Sequence, residues 1–209
     1  EETDKFTSLN PAKPRFVAGV LGPTRYVCSN DSANSFRFAL KSFEELKESY
    51  LPQVQGLVDG RVDILLVETI FSADNVRAAL SALNELGNNS YPICLSATII
   101  PKFNNKDIEN LINELINLSN GYNVFCIGLN CSTECENRNN LLKKIEDETG
   151  LLASIHPSAG LPDRNGKYPV SPEMFTNSIK QLADQNLVNI VGGCCGTTPE
   201  YIKMLSEII

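Results

Sequence analysis

Two adjacent cysteines close a short apolar run in Val188-Asn189-Ile190-Val191-Gly192-Gly193-Cys194-Cys195-Gly196-Thr197-Thr198-Pro199. The run reads as a buried strand that breaks on glycines. A helix starts straight after it, with Thr198 a candidate N-cap and Pro199 at the first helical position. Thiols just ahead of a helix N-terminus feel the positive end of its dipole, which favours thiolate over thiol. A third sulfur, Cys131, follows another apolar run, Val124 to Gly128 and then Leu129-Asn130. Zinc takes thiolate ligands, and a catalytic zinc keeps three protein ligands and one open position. Cys131 and Cys194 lie too far apart in sequence for a zinc finger, yet their spacing is natural for two strand ends of one barrel. The same residues read equally well as small buried hydrophobes. A strained vicinal disulfide between Cys194 and Cys195 is a lesser alternative.

Other candidates stand at strand ends too. Glu68 follows six mostly apolar residues, Val62 to Val67, and at a barrel mouth it could hold a substrate ammonium, a reading favoured over a helix-start carboxylate or a salt bridge. His156, the single histidine, precedes Pro157 and fits a ligand, a base or a hydrogen-bonded structural residue. Cys94 and Cys126 fall inside strands, as packing residues. Cys28 and Cys135 fall in loops, and Asp163, Arg164 and Asn165 read as loop solvation.

The elements that must position these side chains alternate along the chain. Strands are expected over 15–21, 62–67, 92–98, 124–128, 151–155 and 188–191. Helices are expected from Ser42 to Leu57, where Ser42 and Glu45 fit a capping box, and over 75–86, 107–118, 139–149, 171–185 and 199–209. Near-continuous apolar strands alternating with helices mark parallel strands buried on both faces. No GxGxxG loop follows the first strand, and nearly every strand ends in a small or polar cluster, which favours a TIM-type (β/α)8 barrel over an open doubly wound sheet. A barrel of about 250 residues spends about 31 on each unit, so 209 residues suit only about six βα units. Six such strands would leave two open sheet edges.

Composition narrows the function classes. The net charge of -7, with Lys and Arg thinly spread, argues against a nucleic-acid or anionic-membrane partner. No apolar run approaches the roughly 20 residues of a membrane span. Seven cysteines, an odd number scattered through strand-like segments, suit a reducing cytoplasmic compartment.

Taken together, FVAGVLGPT, VDILLVETIF, GLNC, IHPSAGLP and VNIVGGCCGTTPEYI resemble the homocysteine S-methyltransferase family, and within it the homocysteine-binding module of cobalamin-dependent methionine synthases. The motifs fall in the family's order across essentially the whole chain, and the GLNC and GGCCGTTP pair is the specific part. The resemblance implies a βα barrel in which Cys131, Cys194 and Cys195 hold Zn2+, Glu68 holds the homocysteine amino group, and Ser158 and Asn130 complete the substrate-binding set. It implies transfer of a methyl group to the homocysteine thiol, forming methionine. Methylcobalamin would be the donor where cobalamin and folate modules of the same parent protein are present. No protein side chain is expected to act as general base. The resemblance also implies a chain that starts after the family's first two strands, so that residues 1–209 are an N-terminally truncated barrel domain. It departs from the family at Ser158, where the methionine-synthase branch usually has Asn, and at Pro101-Lys102-Phe103, where a glycine-rich segment is usual. Two further readings fit the residues: a barrel remnant that binds zinc or ligand without turnover, and a barrel enzyme that uses Cys194 in redox or covalent chemistry.

Overall fold

The structure, a computed structural model, describes residues 1–28, 39–88, 90–99, 104–131, 133 and 136–208. Cys135 and residues 101–103 lie outside them. Six strands form one parallel sheet in the order β1 (Ala18–Leu21), β4 (Ile64–Ile70), β5 (Ile93–Ala97), β6 (Val124–Cys131), β7 (Leu152–Pro157), β8 (Ile190–Val191). Helices α2 (Phe43–Asp59), α3 (Ala73–Glu85), α4 (Asn105–Ser119), α5 (Arg138–Thr149) and α6 (Pro172–Asp184) connect successive strands, and α7 (Pro199–Ile208) follows the last. The expected βα alternation is present and the barrel is partial. Among the described residues, β1 and β8 each pair on one side only.

Strand periodicity divides the sheet into two faces. On the helix side, Leu65, Val67, Ile93, Leu95, Ile127, Leu129, Ala153 and Ile155 form one buried cluster with Leu46 and Val54 of α2, Leu80 of α3, Ile112 of α4 and Ile145 of α5. The other face carries Cys94, Ser96, Cys126, Gly128, Asn130, Ser154 and His156, with Cys94 beside Cys126, Gly128 between Ser96 and Ser154, and Asn130 beside His156. Uniformly apolar strands buried on both faces were the expectation, and only part of the sheet meets it. All five residues of β5 are buried, whereas Val20 of β1 and Leu152 of β7 are each 41% exposed. Their side chains lie on the face opposite the helix-packed one, which no helix covers among the described residues.

Local chemistry starts the helices where the sequence suggests. Ser42 and Glu45 form the capping box of α2, each side chain accepting from the other's backbone N–H. Asn104 and Asp107 do the same for α4, and Ser72 and Ser171 cap α3 and α6. A second apolar cluster of Ala159, Phe175, Ile179, Tyr201 and Leu205 fastens α6 and α7 to the segment after β7. In it the Phe175 and Tyr201 rings meet edge to face at 5.4 Å, and the Tyr201 hydroxyl donates to the Val170 carbonyl.

Three elements depart from the sequence reading. Helix α1 (Glu2–Leu9) buries none of its residues; with no apolar stripe, it is held by local pairs such as Lys5 with Glu1 and Glu2. Strands β2 (Tyr26–Cys28) and β3 (Ala39–Lys41) form a separate parallel pair in a stretch read as a loop. Cys28 therefore ends a strand. No helix among the described residues is long and apolar enough to cross a membrane.

The β6–β7 contact gives a stability test. A Cβ on Gly128 would sit 2.1 Å from Ser154 Oγ and 2.2 Å from the Ser154 carbonyl oxygen, a backbone obstacle that cannot swing aside. Gly128→Ala is expected to lower unfolding free energy by about 1–3 kcal/mol or more, read as a lower urea midpoint at unchanged slope.

Candidate metal centre

The ladder of β6, β7 and β8 builds the sulfur cluster. Parallel register sets Cys131, the last residue of β6, beside Pro157, the last of β7. Backbone bonds then tie β7 to both neighbours. The Ser158 N–H donates to the Cys131 carbonyl at 2.9 Å, the Cys194 N–H to the Pro157 carbonyl at 2.9 Å, and the Ala159 N–H to the Cys195 carbonyl at 2.8 Å. Cys131 Sγ lies 2.6 Å from Cys194 Sγ and 3.7 Å from Cys195 Sγ, and the two adjacent cysteines keep their sulfurs 3.9 Å apart. All three are free thiols, so the vicinal disulfide is not formed. Zinc–thiolate bonds of about 2.3 Å in a tetrahedron set sulfurs about 3.8 Å apart. Two of the three edges already have that length, and the donor set suits a thiophilic divalent ion. Among the described residues this is the one group of three or more Cys, His, Asp or Glu side chains with that convergence.

Two glycines let the cysteine turn fit. A Cβ on Gly192 would stand 2.6 Å from the His156 ring, and Gly196, at φ +79°, lies against the Tyr168 ring at 2.3 Å from where its Cβ would be. Thr197 closes the turn, its N–H and hydroxyl both donating to the Cys194 carbonyl. Cys131 itself has φ +57°, a left-handed conformation that costs a side-chain-bearing residue about 1–3 kcal/mol. Burial, then the neighbouring Cys194 and Cys195 thiols, push the Cys131 thiol up to about 12. A cation among the sulfurs reverses that preference, because a coordinating thiol loses its proton.

Glu68 sits where β4 breaks step with β5. The register shifts between Val67 and Ile70, and Thr69 inside that bulge has φ +58°. Bulges re-aim side chains beside sites. Half-buried, the Glu68 carboxyl is pushed above the usual carboxylate range by loss of water. A small cavity of about 10 Å³ adjoins it, lined by Leu21, Gly22, Pro23, Tyr50 and Asn75 among others; the buried Asn75 Oδ1 there has no hydrogen-bond partner among the described residues. Asn130 joins the two parts of the site. Its Oδ1 accepts from the Thr69 N–H and the Ser96 hydroxyl, each at 2.9 Å. Its Nδ2 donates to Thr69 Oγ1 at 3.0 Å and lies 3.9 Å from Cys194 Sγ.

The structure thus brings Cys131, Cys194 and Cys195 together and places Asn130 against them. Ser158 is half-buried beside Cys131 through its backbone bond. His156 packs against Gly192 outside the sulfur group, and burial holds its imidazole below the usual histidine range, toward the neutral form. Cys94 and Cys126 are buried strand neighbours. Sequence reasoning did not single out Thr69, Ser96 or Tyr168. The small residue before a strand break and the glycine of GGCCG were the available signals, but neither names its partner.

A family model described as homocysteine S-methyltransferase matches residues 1–209. Among solved structures, the chain is similar to the homocysteine methyltransferase MmuM from Escherichia coli in its oxidized form, with 22% sequence identity and a TM-score of 0.70. That match covers 98% of this chain and 65% of the other; at this identity it carries the fold.

The Gly192–His156 contact is testable alone. Gly192→Ala is expected to destabilise the protein by about 1–3 kcal/mol, and adding His156→Ala should recover part of the loss. A double-mutant cycle by chemical denaturation is expected to give a coupling of about 1 kcal/mol or more; independent effects would place the ring elsewhere.

Proposed function

The chain belongs to the homocysteine S-methyltransferase family, and from that premise we propose that it transfers a methyl group to the homocysteine thiol, forming methionine, in a zinc-dependent reaction. The observation that carries this reading is the convergence of Cys131, Cys194 and Cys195 at the ends of β6 and β8. Those three thiolates would hold Zn2+. Bound there, the ion supplies the Lewis acidity that keeps a substrate thiol, ordinarily of pKa about 8.5, deprotonated at neutral pH.

The protein's own groups bind and orient. Glu68 presents a half-buried carboxylate with no ion-pair partner among the described residues, complementary to the homocysteine ammonium. Ser158 stands at the mouth beside Cys131, and Asn130 lies beneath. The homocysteine sulfur then attacks the donor methyl carbon. A carbon–sulfur bond forms as the bond from methyl to donor breaks, and the donor leaves with that electron pair. With the thiol proton already gone, no side chain has to serve as base, and a His156 held toward neutrality by burial is not required as one. The GLNC, IHPSAGLP and GGCCGTTP motifs support the methionine-synthase type. In that setting methylcobalamin is the donor, and cobalamin and folate modules of the same parent protein are the partners. The free thiols suit a reducing cytoplasm.

Metal analysis of the reduced protein is expected to find one zinc per chain, lost in Cys195→Ala and retained in Cys126→Ala, which should cost only about 1 kcal/mol or somewhat more in packing. Reduced wild-type protein without zinc would overturn the mechanism.

Glu68→Gln is expected to keep zinc and weaken homocysteine binding by about 1.5–3 kcal/mol, roughly ten- to a hundredfold. The pH dependence follows from the raised carboxyl. Only ionised Glu68 pairs with an ammonium, so its contribution to affinity is present near neutrality and is lost as pH drops through that raised value, above the ordinary carboxylate range. Calorimetric titration across acid pH should show a steeper fall in wild type than in Glu68→Gln, the fall common to both coming from the proton that the substrate thiol gives up on binding.

A further inference from the structure

Asn130 lies where the sulfur cluster and the Glu68 bulge meet. We infer that it is a positioning residue that sets the distance between the Glu68 carboxylate and the metal-binding sulfurs, and thereby the length of amino acid the site accepts. This rests on the homocysteine reading above.

Three observations carry it. First, Asn130 is 0% exposed and its carboxamide is occupied by the protein. Both oxygen lone pairs take donors, from the Thr69 N–H and the Ser96 hydroxyl, while Nδ2 serves Thr69 Oγ1 and faces Cys194 Sγ. A carboxamide offers two acceptor sites and two N–H groups, so none remains for substrate. Second, the bulge between Val67 and Ile70 takes Thr69 out of step with β5. Asn130 Oδ1, reaching past Ser96 of β5, supplies an acceptor to the Thr69 N–H in place of a regular ladder bond. Third, the same side chain approaches the sulfur of Cys194, so one rigid planar group spans from the residue after Glu68 to a metal ligand.

The chemical consequence is a ruler. Homocysteine carries its ammonium and its sulfur at the two ends of a three-carbon chain, and cysteine is one methylene shorter. A carboxylate and a sulfur-binding centre held at fixed separation accept one length and strain the other. A difference of one methylene is worth about 10–200-fold in discrimination.

The test compares wild type, Asn130→Asp and Thr69→Ala for zinc affinity by chelator competition, for the thiolate-to-metal absorption of the cobalt(II)-substituted protein, and for affinity toward homocysteine and cysteine. Asn130→Asp keeps the shape and both acceptor bonds but turns a carboxylate oxygen toward Cys194 and Thr69 Oγ1. It is expected to lower zinc affinity by about tenfold or more, shift the cobalt absorption, and reduce the preference for homocysteine over cysteine. Thr69→Ala removes only the Oγ1 partner; zinc affinity should stay near wild type while the preference falls. If Asn130→Asp is insoluble, Thr69→Ala decides, and an unchanged preference there overturns the inference. Wild-type zinc affinity and absorption in Asn130→Asp, with homocysteine and cysteine weakened equally, would make Asn130 a substrate contact and overturn it as well. Wild-type protein that binds no zinc overturns the proposed function and this inference with it.

Discussion

The site depends on the parallel register of β6, β7 and β8. Adjacent strands lie about 4.8 Å apart, so neighbouring strand ends bring side chains within reach of one another without any loop having to fold over. The end of β7 carries no sulfur, yet it sets the spacing by bonding through Pro157, Ser158 and Ala159 to the backbones of all three cysteines. A one-residue slip would turn every side chain of a strand to the opposite face. That slip is resisted on the far side of the sheet, where Ile127 and Leu129 of β6 and Ala153 and Ile155 of β7 are buried against the helices. The apolar core and the sulfur cluster are thus two faces of one register.

Electrostatics at the mouth run in one direction. Burial raises the Cys131 thiol and the Glu68 carboxyl and lowers the His156 imidazole, so each is pushed toward its neutral form. This is the behaviour of groups withdrawn from water without a counter-charge. Among the described residues the inner face around them offers hydrogen bonds, through Ser96, Asn130 and Ser154, and no buried cation. Groups so placed are driven to their charged forms by an opposite charge brought next to them.

Much of this was legible in the sequence because the strongest signals are periodic. The six core strands and the helices between them follow apolar patterns that burial enforces, and the capping box at Ser42 is written in two side chains. The three cysteines could be grouped because each ends an apolar run. What could not be read has no periodic cause. Helix α1 buries nothing, and the β2–β3 pair is three residues long on each side, too short for alternation to register. The half-exposed inner face of β1 depends on what lies over it, which its own sequence does not encode. Asn130 was assigned a place in the site, but its partners belong to other strands: Ser96 lies on the neighbouring β5, and Thr69 is brought in by the β4 bulge, which no local residue announces.

The two halves of the site are built by opposite means, and the backbone shows where. The sulfur half uses an unbroken ladder, six consecutive paired residues between β6 and β7. The carboxylate half uses a broken one, the shifted register of β4. Each half ends in a left-handed residue that bears a side chain, Cys131 at φ +57° and Thr69 at φ +58°. Strain of this kind persists where the surroundings over-determine it, and both positions meet that condition. Cys131 gives its carbonyl to Ser158, while Thr69 is held by Asn130 at both its N–H and its hydroxyl. A glycine at either position would remove the strain, but Cys131 would lose its sulfur and Thr69 the hydroxyl that anchors Asn130. The chain accepts a local conformational cost at these two points, and the buried helix-facing layer beneath offsets it.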